Sequence, residues 1–176
     1  ESDVLQQVQI GSTTTEQLKK TYPDVIQSDS GYLGYGDRII TVESGDIVIY
    51  MRDIKGTVPQ QMFVFDSDSK VLQSILFLRA DNDFDALISS LKTAGFVPYP
   101  DLTADEFAIM QMAASETPES RKQSMQQAGV QQFKKGTLLA LAMPASVNEN
   151  SKMPSLIILN LAYAPEHRAK WEKHQR

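Results

Sequence analysis

The chain has no cysteine among its 176 residues. That absence removes disulfide bonds, thiolate nucleophiles and cysteine-ligated zinc together. It does not fix a compartment, because a cysteine-free chain tolerates both cytosol and periplasm. Histidine is nearly missing too: His167 and His174 both lie in the last ten residues. A serine-hydrolase triad therefore has no imidazole in the body of the chain, and no Gly-x-Ser-x-Gly stands beside a strand. The two histidines are seven apart, whereas a helical metal pair uses i, i+4 spacing. Positive charge is not in excess: 17 Lys and Arg face 22 Asp and Glu, for a net charge of −5. A general nucleic-acid binder carries the opposite balance. The longest apolar run, Leu138 to Met143, is far too short to span a bilayer.

What remains is a globular composition, with 41% apolar and 22% charged residues. A chain of this length buries a sizeable core, and we read it as one α+β domain over residues 1–176. "STTTEQLKKTYPDV" poses the first question: phosphate loop or helix start? A phosphate loop ends in Gly-Lys-Ser/Thr, which is lacking. Thr13 and Glu16 instead have capping-box spacing, Leu18 and Tyr22 share a helical face, and Pro23 stops the helix. "GYLGYG" (31–36) reads as a turning segment. Residues 38–43 and 46–52 then read as a hairpin about "ESGD", and 61–65 and 70–78 as a second about "DSDS". Phe84, Leu87, Ile88 and Leu91 predict a helix closed by Gly95. Thr103 with Glu106 predicts another, leading to Phe107, Met110 and Met112. Thr117-Pro118 opens a third, whose main apolar residue is Met125. Residues 132–143 and 154–163 predict two strands joined by a polar loop at 145–154. A terminal helix over 165–175 carries Trp171.

The fold class is thus α+β: an antiparallel sheet of about six strands with helices packed on it. Each half places helix before strands, which suggests two degenerate units, 8–80 and 81–163. Several strands are apolar on both faces, so helices cover both, or a partner such as a second copy covers one.

Asp81-x-Asp83-x-Asp85 opens like a calcium loop. It lacks the glycine at position six and the glutamate at position twelve, so these carboxylates read as helix-start residues. The three glycines of "GYLGYG" lack the following helix that a dinucleotide site needs. Its tyrosines suit a contact loop, and the binding candidates are Tyr32, Tyr35, Arg38 and Trp171. The basic charges at 168–176 are offset by Glu166 and Glu172, which makes a weak lipid-binding patch. No catalytic residue, metal ligand or cofactor is assigned.

Ile10-Gly11, the hydroxyl run, "EQLKKTYPDV" and the paired strands together resemble the start of the SmpA/OmlA type of small outer-membrane lipoprotein domain. The pattern is also similar to the wider group sharing the β-lactamase-inhibitor-protein fold. Gly11, Thr13, Leu18 and Pro23 occupy the matching positions, while Ser12 replaces the usual Met and Tyr22 the usual Gly. The likeness covers residues 8–80. It implies a non-catalytic protein of a bacterial envelope that binds another protein, in the periplasm or held at the outer membrane by an anchor upstream of Glu1. A cytoplasmic location stays open. So do two other functions: a secreted or periplasmic inhibitor or immunity protein that plugs an enzyme's cleft, and a carboxylate-based hydrolase.

Overall fold

The hydroxyl run does begin a helix, one residue later than Thr13 and Glu16 predict. In the computed structural model, Thr14 is the N-cap: its hydroxyl accepts from the Gln17 N–H, and the Gln17 side chain accepts from the Thr14 N–H at 2.9 Å. Thr14-x-x-Gln17 satisfies the same capping rule. Thr13 is used otherwise, accepting from the Gln9 N–H at 2.7 Å while its carbonyl takes the Leu72 N–H. The loop is thereby stitched to the sheet, and that fixes where the helix starts.

The structure describes residues 2–27, 31–35, 38–42, 47–52, 60–79, 81–106, 117–145 and 154–162. In order they form α1 (Ser2–Gln7), α2 (Thr15–Thr21), β1 (Ile26–Gln27), β2 (Gly31–Tyr35), β3 (Arg38–Val42), β4 (Ile47–Arg52), β5 (Gln60–Asp66) and β6 (Leu72–Leu78). Then come α3 (Phe84–Thr93), β7 (Val97–Pro98), α4 (Pro118–Gln127), β8 (Gln131–Lys135), β9 (Leu138–Met143) and β10 (Ser155–Asn160). The predicted helix beyond Glu106, the centre of the 145–154 loop and the predicted terminal helix lie outside the described residues.

Eight strands, not six, form an open antiparallel sheet in the order β1-β4-β5-β6-β10-β9-β8-β7. Two of them, β1 and β7, have only two residues each, too few for an alternating pattern to show. Another arises because the apolar stretch 132–143 is folded at Gly136, whose φ of +59° makes a tight reversal between β8 and β9. Among the described residues, 38–42 and 47–52 are not paired with each other as the expected hairpin requires. β3 pairs with β2 as a separate two-stranded ribbon, and β4 pairs with β1 and β5. The "GYLGYG" segment is thus largely strand. The hairpin about "DSDS" is as expected, with Asp66 accepting from the Ser69 N–H at 2.8 Å.

β6 and β10 meet at the centre of the sheet, and outward from them run β5, β4, β1 on one side and β9, β8, β7 on the other. Side chains cross this seam: the Ser74 hydroxyl donates to the Ile158 carbonyl at 2.8 Å, and Asn160 Nδ2 to Gln73 Oε1 at 3.0 Å.

On one face of the sheet, Phe63, Phe65, Ile75, Phe77, Leu156 and Ile158 form the main core with Val4 of α1, Val8 just beyond it, Leu18 of α2 and Leu87 and Leu91 of α3. Helix periodicity and strand alternation place these residues together without conflict. Tyr22 stacks on Phe63 with ring centroids 6.2 Å apart, and the Arg52 guanidinium lies 4.1 Å from the centre of its ring. On the opposite face, Leu139 and Leu141 pack with Met125 of α4. Helices therefore lie on both faces. Among the described side chains of α4, all but this anchoring methionine are exposed.

Candidate functional site

Sheet alternation sends Ile47, Ile49, Met51, Met62, Val64, Leu76, Leu78, Ile157 and Leu159 to the face away from α1–α3. The two halves of that face differ. Ile49, Val64, Ser74, Leu159 and Leu139 stand opposite one another across five strands, and all five are buried. The neighbouring row runs Ile26, Met51, Met62, Leu76, Ile157. The last four keep part of their surface accessible, and Ile26 is 69% exposed. Leu78 and Met143, also half-buried, continue the apolar surface beyond this row. The result is an apolar band across β1, β4, β5, β6 and β10. Two of its members, Met51 and Met62, are methionines, whose unbranched, polarisable side chains adapt to different shapes.

The β2–β3 ribbon approaches the strand that carries Met51: β2 comes within 8 Å of β4, Cα to Cα. Tyr32 stands opposite Thr41, and Tyr35 opposite Arg38, so three of the four predicted binding residues share one ribbon. Trp171 lies outside the described residues. The band itself was only half visible in the sequence. Apolar residues on both faces of a strand signal two-sided burial, but only the register shows which of them form one row.

A polar cluster sits at the far edge of the same face. Glu106 is buried, with a relative exposure of 7%. Its Oε1 accepts from the Tyr99 hydroxyl at 2.7 Å and from the Thr103 N–H at 2.9 Å, and its Oε2 accepts from Lys134 Nζ at 3.1 Å. The Glu106 N–H returns a bond to Thr103 Oγ1 at 3.2 Å, which completes the predicted capping box. Burial pushes the Glu106 carboxyl up, but the bonds from Thr103, Tyr99 and Lys134 together outweigh it and hold the group at about 2. Lys134 also lies over the Tyr99 ring, 4.7 Å from its centre. Every member is partnered, so the cluster acts as a clamp holding residues 99–106 to β8. Asp83 caps α3 by accepting from the Ala86 N–H, as its helix-start reading requires. Asp81 pairs with Arg79, whose hydrogen bonds lower its carboxyl to about 2.

The chain matches no known family model, no curated protein and no solved structure.

Proposed function

We propose that the protein is a non-catalytic binding or scaffold domain of a bacterial envelope. It grips another protein with the apolar band and the adjoining β2–β3 ribbon, and uses no cofactor. The single observation behind this is the contrast between two neighbouring rows on one face. One is fully buried; the other keeps accessible apolar surface over five strands and ends at an exposed isoleucine. Contiguous apolar surface of this kind favours protein partners, and methionine-rich surfaces favour adaptable ones.

The envelope assignment rests on the resemblance of residues 8–80 to the SmpA/OmlA and β-lactamase-inhibitor-protein group. The mirrored strand order supports that reading. Each half has a helix, then a two-residue edge strand, then a three-strand meander ending at the central seam. We take the halves as two diverged units of one design. We take another protein, not a second copy, as the occupant of the accessible row; a dimer in light scattering that Met62→Asp/Ile157→Lys abolishes would favour the second copy. An inhibitor would use the same surface against a single enzyme.

The test is capture from envelope extract of the native source, comparing the wild-type protein with Met62→Asp/Ile157→Lys. The double variant should keep its far-UV circular dichroism and lose the captured protein. Equal capture by both proteins would refute the band as the contact surface. Recovery of one enzyme, inhibited on addition of the protein, would identify the inhibitor form.

A further inference from the structure

On the helix face, away from the apolar band, lies a half-open cleft of about 250 Å3 between α1 and the turn that ends α3. Val8, Ile75 and Phe96 form its buried base, and Leu5, Ile10 and Leu138 its half-buried walls. Among the described residues that line it, two side chains carry polar groups, Gln9 and Lys135, and neither is acidic.

The fold holds the lysine at the cleft in three ways. Its ammonium donates to the Ala94 carbonyl at 2.7 Å, at the C-terminus of α3. It lies 5.9 Å from the centre of the Phe96 ring. Its stem crosses Gly95, where an added Cβ would come within 3.6 Å of Lys135 Cε and Nζ. An ammonium has three donors, and Ala94 takes one. Among the described residues no carboxylate pairs with Lys135. Gln9 is oriented as well: its Oε1 accepts from the Ser12 hydroxyl at 3.1 Å, leaving its NH2 free to donate.

We infer that this cleft binds a medium-chain carboxylate, its hydrocarbon tail against Val8, Ile75 and Phe96 and its carboxylate on Lys135 and Gln9. The charge decides the class of ligand: the walls are apolar, and among the described residues the charged group at the cleft is a cation with donors to spare. The volume sets the size. An apolar cavity of about 150 Å3 takes benzene, with six heavy atoms, so about ten heavy atoms fit here. Octanoate has that number.

The experiment is isothermal titration calorimetry of the full chain with sodium octanoate, alongside 1-octanol, which has the same tail and no charge. Octanoate should bind saturably with one site and more tightly than octanol. Lys135→Met, which keeps an apolar stem, should weaken octanoate about tenfold, the size of one charge-assisted hydrogen bond, and leave octanol unchanged. Leu5→Trp, which fills the cleft, should abolish both, with thermal melts confirming that each variant is folded. Absence of saturable octanoate binding to the wild type overturns the inference. So does unchanged octanoate affinity in Lys135→Met, whatever Leu5→Trp does.

Discussion

Glu106 shows how one side chain can serve as cap, ion-pair partner and acid sensor. Its carboxyl is held at about 2 in the folded chain, below the ordinary 4.5. A depressed carboxylate stabilises the fold above the unfolded-state value, and the benefit fades as the pH falls from about 4.5 toward 2. Glu106→Gln keeps the shape but loses the charge and the Lys134 ion pair. At pH 7 it should cost about 1–2 kcal/mol, with partly exposed Lys134 tempering the loss. Urea unfolding at pH 7 and pH 2.5 checks this: the gap between variant and wild type should be clear at pH 7 and much smaller at pH 2.5. A gap independent of pH would mean that the packing of the side chain matters, and its charge does not.

Among the elements, α2 is the shortest helix with both a complete cap and a buried anchor. It holds its place through Thr14 at one end and through Leu18 and Tyr22 on its inner face. Thr14→Ala should cost about 1 kcal/mol, read as a lower urea midpoint with an unchanged slope. Thr13→Ala should also destabilise, but through the Gln9 N–H that its hydroxyl serves. This element shows what was legible in the sequence. The helix, its inner face and its stop at Pro23 follow from spacing and backbone chemistry. Its first residue does not, because two overlapping capping boxes compete and a contact with Leu72, far along the chain, decides between them. The α3 helix and the "DSDS" turn were legible for the same reason: local hydrogen bonds define them. The β2–β3 pairing was not. "GYLGYG" has turn-like glycines, and "RIITV" could as well have paired with the strand after it. The apolar band was least legible, since it is a property of five strands in register.

At the scale of the whole molecule, one ladder of the main sheet joins the two halves. The strands on either side of it are joined largely by local hairpins, whereas the Ser74 and Ile158 groups bonded across it are 84 residues apart in sequence. Each meander closes a short loop, and the central pairing closes a long one. In folding kinetics, substitutions at the seam such as Ser74→Ala should chiefly speed unfolding, while substitutions inside a meander should also slow folding. Rate measurements across urea concentrations separate the two.

A chain severed at residue 80 would leave the first half with the long inner edge of β6 unpaired. Its natural complement is antiparallel and reached from a mirrored meander, so a second copy of the same fragment offers much the same geometry. Residues 1–80 alone should sediment as a two-chain particle. The seam would then be the edge at which an isolated half recruits a replacement for its missing neighbour.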